Sequence, residues 1–175
     1  MYLTITGDHI LEGTARLSFA AHKVSEWALG ASLRLNATKT KSMFFGSEYR
    51  VKALKGLNFP GVDLGDGALV PFVDEALSLG VILDRSLTWK PHVNQVTKKI
   101  NIAMFGLWFI QFCTTETLHK RLVETLVLSH LDYCTVVYLD ASQGLRQRLQ
   151  RLSNTCGRYI FGLRRDACIT PYRIW

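Results

Sequence analysis

The sequence has few of the residues that bind metal ions or cross-link secreted domains. Its four cysteines (Cys113, Cys134, Cys156 and Cys168) are separated by 21, 22 and 12 positions, and no pair has the close spacing of a zinc knuckle. No apolar stretch approaches the roughly 20 residues that a membrane span requires. The first residues have no basic region of the kind that opens a secretory signal. These absences disfavour a membrane protein, a disulfide-stabilised secreted domain and a zinc finger, and they predict an intracellular protein, in the nucleus or cytoplasm, with free thiols.

Catalytic signatures are missing as well. The chain has no P-loop and no Gly-x-Ser-x-Gly, and the pair Gly65 and Gly67 lacks the third glycine of a dinucleotide-binding turn, which favours a loop. Asp74 and Glu75 are the only adjacent acidic residues, and no further acidic cluster completes a two-metal site. The residues themselves therefore predict neither a catalytic side chain nor a metal site.

One arrangement of cysteine and histidine needs separate consideration. Cys134 could act as a nucleophile with His119 or His130 as its base. A reactive thiol requires a partly exposed, electropositive setting, whereas Cys134 lies in the largely apolar run 133–138. We therefore expect a packed core thiol.

The positive charge lies in one half of the chain. The 175 residues are 48% hydrophobic and 20% charged, which is typical of one globular domain or a fragment of a larger one. Residues 1–89 contain nine Lys or Arg and nine Asp or Glu, whereas residues 90–175 contain twelve and five, so the whole net charge of +7 lies in the second half. This asymmetry predicts two structural units, the second of which faces an anionic partner. The alternative is a solvated helical surface that is merely basic.

Apolar periodicity predicts both helices and strands. In the first half, helical spacing covers residues 11–29 and Gly30 gives a stop. Strand-like patterns follow at 42–45, 68–74 and 77–84, with a loop or weak hairpin over 47–67.

After Pro91 the pattern becomes helical. A first apolar seam runs from Val93 to Ile110 in steps of three and four, and a third from Leu145 to Leu163, ending near Gly162. Between them a second helix is predicted, with Thr114 as its N-cap and an ion pair between Glu116 and Lys120. Three such helices predict a small bundle. Four aromatic residues should bury the end of the first helix on more than one side: Phe105, Trp108, Phe109 and Phe112.

The third predicted helix carries a stripe of arginines. At about 100° per residue, Arg148, Arg151 and Arg158 lie within roughly 80° of one another, beside the apolar seam, and Arg146 lies on the other flank. Cationic side chains along a helix suit the phosphates of a nucleic-acid backbone. The alternative is that these arginines cover the rim of the bundle with their aliphatic stems.

Several short motifs follow one another along nearly the whole chain. They are Leu35-Asn36-Ala37-Thr38-Lys39-Thr40-Lys41 after Trp27, Leu79-Gly80-Val81-Ile82-Leu83-Asp84 followed by Leu87-Thr88-Trp89 and His92, Leu131-Asp132-Tyr133-Cys134, Leu149-Gln150-Arg151-Leu152, and Arg158-Tyr159-Ile160-Phe161-Gly162. This series resembles the reverse transcriptases of non-LTR retrotransposons, in particular those of jockey-type mobile elements.

The resemblance implies a domain order and a fold. It implies an α+β chain in which residues 1–75 are a partial palm with short antiparallel strands and residues 76–89 are the primer-grip hairpin. Residues 90–165 would be an α-helical thumb bundle, and residues 166–175 a truncated tail. Leu79, Gly80 and Val81 would belong to the primer grip, which holds the primer 3′ end, and Lys39 would match the lysine of the family's palm motif.

The sequence also departs from the family pattern. The Tyr/Phe-Ala-Asp-Asp loop, whose aspartates hold two Mg²⁺ ions in the intact enzyme, is absent, and Ala31-Ser32 stands where relatives usually have Asn-Gly. We therefore expect a polymerase fragment that retains no cofactor and is inactive alone, and whose remaining partner is an RNA or DNA primer–template. The expected nucleic-acid contacts are Lys39, Lys98, Lys99, Arg148, Arg151 and Arg158. The alternatives are a non-catalytic nucleic-acid-binding or scaffold protein derived from a mobile element, and a degenerate product without activity.

Overall fold

The protein consists of helices and two small antiparallel sheets arranged in two compact units. The computed structural model describes residues 3–5, 9–54, 61–65, 67–133 and 135–169. The units are Met1–Leu87 and Thr88–Trp175, so they divide within two residues of the position at which the charge pattern changes. The N-terminal unit contains two helices, α1 (Ile10–Gly30) and α2 (Glu48–Leu54), and four strands, β1 (Val62–Asp63), β2 (Leu69–Val70), β3 (Glu75–Ser78) and β4 (Val81–Asp84).

Helix α1 packs on the first sheet through a face of small side chains. Its buried positions include Ala21, which contacts a core formed with Val62, Leu64 and Val70 of the β1–β2 hairpin and its turn. Strands β1 and β2 are antiparallel, with Val62 opposite Val70. The small residues let the helix lie close to this two-stranded sheet, and Leu17 of α1 packs half-buried against the same core.

Helix α1 ends in a Schellman motif. The N–H of Leu33 donates to the carbonyl of Ala28 (2.8 Å) and the N–H of Ser32 to that of Leu29 (2.9 Å). The left-handed residue is Ser32, at φ 59°. Gly30, the predicted stop, is the last helical residue and not the residue that reverses the chain.

Two predictions for the N-terminal unit need correction. The predicted strand 42–45 is reduced to a single parallel bridge between Ser42 and Phe72. The rings of Phe44 and Phe72 stack beside it, with centroids 4.1 Å apart. The segment 47–67, predicted as a loop or weak hairpin, contains β1, which pairs with β2 in a short hairpin, and it also contains the helix α2, which was not predicted. An ion pair between Glu48 and Lys52 (2.9 Å) one turn apart supports this short helix.

The predicted strand 77–84 is a hairpin. Strands β3 and β4 pair in register from Glu75 opposite Asp84 to Ser78 opposite Val81. Leu79 and Gly80 form the two-residue turn, with φ of 47° and 81°, which is the geometry of the type I′ turn that matches strand twist. The glycine that sequence reasoning placed within a strand therefore reverses the chain.

The C-terminal unit contains helices joined by turns, and no strand among its described residues. Helix α3 (Lys90–Ile110) continues into the 3₁₀ turn Gln111–Cys113. A second helical stretch follows, which consists of α4 (Glu116–Val123), the π-helical segment Glu124–Leu128 and α5 (Ser129–Asp132). The last two helices are α6 (Val136–Leu139) and α7 (Gln143–Ile160). The predicted seams of the first and third helices supply most of the core, which contains Val96, Ile100, Met104, Leu107, Val123, Val127, Leu152, Cys156, Tyr159 and Ile160.

Helices α3 and α7 run parallel. Asn94 contacts Arg148, Met104 contacts Cys156, and the carbonyl of Leu107 accepts from the hydroxyl of Tyr159 (3.2 Å), at sequence separations of 54, 52 and 52. The stretch from α4 to α5 returns the chain between them, and α4 packs against α7. The first turns of α3 and α7 therefore lie at the same end of the unit.

Predicted details of the second helix also need correction. Its N-cap is Thr115 and not Thr114, because the 3₁₀ turn prolongs the first helix and the hydroxyl of Thr114 donates back to the carbonyl of Ile110 (2.8 Å). Lys120 pairs with Glu124 (4.0 Å) and not with Glu116. The aromatic residues predicted to be buried at the end of α3 are exposed: Phe105, Trp108, Phe109 and Phe112.

Candidate nucleic-acid interface

The arginine stripe lies along α7, and its members have different surroundings. Arg148 and Arg151 are exposed. The Nη1 of Arg148 donates to Oδ1 of Asn94 (2.6 Å), which holds the guanidinium at the edge between α3 and α7 and leaves its other donors open to solvent. Arg146 lies on the opposite flank of α7 and is also exposed. The stripe therefore has a fixed end at Arg148 and a solvent-facing member at Arg151.

Arg158 is engaged within the protein. Its Nε and Nη2 both donate to the carbonyl of Ala167 (3.3 Å each), and the residue is half-buried. This clamp fixes the segment that follows the Schellman motif at the end of α7, where Gly162 is left-handed and the N–H of Leu163 donates to the carbonyl of Arg158 (2.8 Å). Two of the five N–H donors of Arg158 are thus bonded within the protein.

The two adjacent lysines of α3 lie on different sides of the helix. Lys98 follows Asn94 by four residues, so it shares the edge that faces Arg148. Lys99 is about 100° further round and lies near His92. Burial lowers the pKa of His92, and the charge of Lys99 lowers it further. Asn94 is the residue that sequence reasoning missed, and its position one turn before Lys98 was the available signal.

Lys39 lies in a tight turn of the N-terminal unit. The side chain of Asn36 accepts from the N–H of Thr38 (3.0 Å) and of Lys39 (3.2 Å), and its carbonyl accepts from the N–H of Thr40 (2.9 Å). This Asx turn presents Lys39 to solvent. The turn explains why the motif has Asn at this point, because a short amide side chain can bond to the backbone two residues on.

The β3–β4 hairpin presents an apolar tip on an anchored base. Leu79 is 89% exposed at the turn, whereas Val81 is buried. At the base, Nε of Arg85 contacts Asp74 Oδ1 (2.7 Å) and the carbonyl of Val73 (3.2 Å). Of the three residues predicted to form one grip, Leu79 is thus accessible and Val81 is part of the packing.

His119, one of the two histidines considered as a base for Cys134, has a structural role. His119 is buried, with Nε2 within 2.7 Å of the Thr114 hydroxyl and 3.1 Å of the Gln111 carbonyl, and its ring packs on Tyr159. Cys134 lies outside the described residues. Cys156 is a free thiol in the core, where burial raises its pKa to about 11, so it is inert at neutral pH. Cys113 is a free, exposed thiol, and Cys168 is also exposed.

Comparison with characterised sequences identifies relatives of this chain. It is 33% identical over 156 residues, or 87% of its length, to the RNA-directed DNA polymerase from mobile element jockey of Drosophila funebris. It is 25% identical over 145 residues, or 81% of its length, to the probable RNA-directed DNA polymerase from transposon X-element of Drosophila melanogaster. The chain is similar to RNA-directed DNA polymerases of transposable elements. The resemblance drawn from its motifs is thereby confirmed.

The chain matches only a part of each of those proteins. It spans 16% of the jockey polymerase and 15% of the X-element polymerase. No family model matches the chain, and no solved structure matches it.

The described carboxylates of this chain do not fit a divalent cation site. Asp74 is paired with Arg85, and Asp63 contacts Nε2 of His22 (3.2 Å). A hydrogen bond from the N–H of Gly65 lowers the pKa of Asp63; burial opposes this effect, and the contact with His22 lowers the pKa further. Across the described ranges, no three His, Cys, Asp or Glu side chains come together in a geometry that could hold a metal ion. No described helix is long and apolar enough to span a membrane.

Proposed function

We propose that this chain is the palm-to-thumb part of a retrotransposon reverse transcriptase, and that its C-terminal unit binds the phosphate backbone of a primer–template. The observation that carries the proposal is the edge between the parallel helices α3 and α7. Arg148 and Lys98 lie at this edge, and Arg151 continues it along α7. We refer to these three residues as the cationic edge.

The electrostatics of the helix ends support the proposal. The first turns of α3 and α7 contain no acidic residue, although acidic residues at these positions stabilise a helix through its dipole. Because the two helices are parallel, their positive ends lie at the same end of the unit, at least one turn before the residues of the cationic edge. A surface that has cationic side chains, and lacks the acidic residues that would stabilise its helix ends, is suited to an anionic partner.

The hairpin contributes a second, apolar contact in this proposal. The resemblance assigns Leu79, Gly80 and Val81 to the primer grip, and the exposed Leu79 side chain at an anchored turn is able to contact a sugar or base. Lys39 would lie toward the active site of the intact enzyme. Polymerisation itself would require the aspartates that hold Mg²⁺, and the described acidic residues do not provide them.

Binding to a duplex as a function of salt tests the cationic edge. Each phosphate contact contributes about −0.9 to the slope of log K against log salt concentration for duplex DNA, so the three residues together should contribute about −2.7. Fluorescence anisotropy with a labelled primer–template measures this slope for Arg148→Ala and Arg151→Ala. Each variant should weaken binding and make the slope less steep by about 0.9.

Arg146→Ala is the matched control, because it removes the same charge from the opposite flank of the same helix and should leave the slope almost unchanged. Arg158→Ala is unsuitable, since it also releases the carbonyl of Ala167. Equal losses for Arg146→Ala and Arg151→Ala, with circular dichroism unchanged, would show that only net charge matters and would refute the interface. Nucleotide incorporation by the chain with Mg²⁺ in a primer-extension assay would refute the proposed inactivity.

A further inference from the structure

Arg148 is held by a neutral side chain that belongs to another helix. Its Nη1 donates to Oδ1 of Asn94 over 2.6 Å, although the two residues are 54 positions apart in the chain. Both residues are exposed, so the contact lies at the surface of the unit and not in its core. One N–H donor of Arg148 is used in this bond, and its other donors are available to a partner outside the unit.

The backbone on both sides of this contact is supported by the core of the C-terminal unit. Asn94 precedes the buried Val96 by two residues on α3, and Arg148 immediately precedes Leu149, which packs on the same core from α7. Because a close-packed core resists movement, the two backbones stay at a nearly constant separation. The hydrogen bond between the side chains then restricts the freedom that the Arg148 side chain would otherwise have.

The neutral partner leaves the positive charge of Arg148 uncompensated. No described carboxylate pairs with Arg148, and the ion pairs described in this unit join Lys120 to Glu124 and Arg164 to Asp166. An acidic residue at position 94 would hold the guanidinium more strongly, because a charge-assisted hydrogen bond is about twice as strong as a neutral one. It would also cancel the charge that attracts a phosphate. An amide at this position restrains the side chain and keeps its charge.

The contact contributes little to the stability of the fold. A hydrogen bond between exposed side chains replaces bonds to water, so its net effect on the free energy of unfolding is small. Asparagine is also a poorer helix former than alanine, and Asn94 lies inside α3, where this preference applies. Neither packing nor helix formation therefore accounts for an asparagine here, whereas the orientation of Arg148 does.

We propose that Asn94 is a positioning residue, which orients Arg148 to bind one phosphate of a nucleic-acid backbone. This inference rests on the proposed function of the cationic edge, and it adds the residue that prepares one of its three members for binding. Asn94 acts through Arg148 and does not itself bind the nucleic acid. With one nitrogen of the guanidinium held by Asn94, the remaining donors are fixed in direction, because the group is planar and rigid.

Orientation of Arg148 before binding should raise the affinity without adding charge. Immobilising a long side chain during binding lowers the affinity by about 2- to 10-fold, and a side chain that Asn94 already holds has lost this freedom on folding. Asn94→Ala should therefore weaken binding to a primer–template by about 2- to 10-fold. The slope of log K against log salt concentration should not change, because it depends on the number of phosphates neutralised and Arg148 remains charged.

A double-mutant cycle measured by fluorescence anisotropy tests the positioning role. Asn94→Ala, Arg148→Ala and the double variant of the full chain are compared over a salt series with one labelled primer–template. Asn94→Ala should weaken binding when Arg148 is present and should have no effect in the Arg148→Ala background. Asn101→Ala is the matched control and should leave the affinity unchanged, because Asn101 is an exposed asparagine two turns later on the same flank of α3 and forms no described hydrogen bond to an arginine.

The melting temperature separates positioning from a structural role. Asn94→Ala should not lower the melting temperature, because the contact is exposed and alanine favours the helix; a clear decrease would show a structural role and overturn the proposal. An equal loss of affinity in the Arg148→Ala background would show that Asn94 binds the nucleic acid itself, which also overturns it. If Arg148→Ala weakens binding and Asn94→Ala does not, the positioning role is wrong and the cationic edge remains. If Arg148→Ala changes neither affinity nor slope, the proposed function itself is refuted.

Discussion

The turn of the β3–β4 hairpin stores strain that a single substitution should release. Leu79 occupies the first turn position with φ 47°, in the left-handed region, and is followed by Gly80 at 81°. Type I′ turns favour Asn-Gly at these two positions. Leu79→Asn therefore keeps the turn, replaces a residue that opposes it with one that favours it, and removes an apolar side chain that is 89% exposed.

The expected gain follows from two opposing effects. A side chain with a Cβ costs about 1–2 kcal/mol in the left-handed region, and asparagine reduces most of that cost through local hydrogen bonding. Burying a whole leucine contributes about 1.5–3 kcal/mol, so the roughly one tenth of Leu79 that is buried contributes about 0.2–0.3 kcal/mol. Leu79→Asn should thus raise the free energy of unfolding of the N-terminal unit by about 1 kcal/mol, which corresponds to about 4–8 °C in melting temperature for a unit of this size.

Urea unfolding followed by circular dichroism measures the difference, with Leu77→Asn as the control. Leu77 is also an exposed leucine of this hairpin, but it lies in β3 opposite Ile82, where asparagine is unfavourable in a strand. Leu77→Asn should destabilise the unit by about 0.5–1 kcal/mol. The reasoning about strain is refuted if Leu79→Asn destabilises the unit as much as Leu77→Asn does. If the hairpin is a primer grip, Leu79→Asn should also weaken primer–template binding, so that stability and binding change in opposite directions.

Three further predictions concern the end of α1, the buried His92 and the cysteines. Ser32→Gly should raise the free energy of unfolding by about 0.5–1 kcal/mol, as measured in urea, because glycine adopts the left-handed φ of 59° without strain but loses more chain entropy. Burial lowers the pKa of His92, so the unfolded chain binds a proton at this residue more readily than the folded chain does. The free energy of unfolding should therefore fall as the pH decreases below about 7, through the ordinary histidine pKa of about 6.5. His92→Gln should reduce this pH dependence. In a thiol-reagent titration of the native protein, Cys113 and Cys168 should react rapidly and Cys156 only after unfolding, so Cys156→Ser should leave the rapid phase unchanged.

The helical seams were the part of the fold that sequence could predict. The spacing from Val93 to Leu107 and from Leu149 to Tyr159 identifies side chains that the structure buries, because a helix that packs on one side repeats its apolar residues every three or four positions. The same reasoning failed for Phe109 and Phe112, since periodicity reveals that a residue is apolar but not whether another surface covers it.

The strands of the N-terminal unit could be predicted only in part. Segments of two to four residues leave little periodic signal, and the turn at Leu79 has a residue that seldom occupies a left-handed position. For the candidate interface, the arginine stripe was visible from rotation about the helix axis. The contact of Arg148 with Asn94 and of Arg158 with Ala167 depends on tertiary packing at separations of 54 and 9 residues, which a single helical wheel does not contain.

The π-helical segment Glu124–Leu128 has a consequence for how this chain can change in length. It holds one residue more than an α-helical turn would, so the residues before and after it do not follow a single α-helical spacing of buried positions. Val123 and Val127 remain in the core, whereas Leu126, which an unbroken helix would place on the same face, is half exposed. Loss of one residue within this segment would convert it to an ordinary turn and leave both neighbouring stretches helical. A single-codon deletion here should therefore be tolerated better than the same deletion elsewhere in the helical stretch from Glu116 to Asp132.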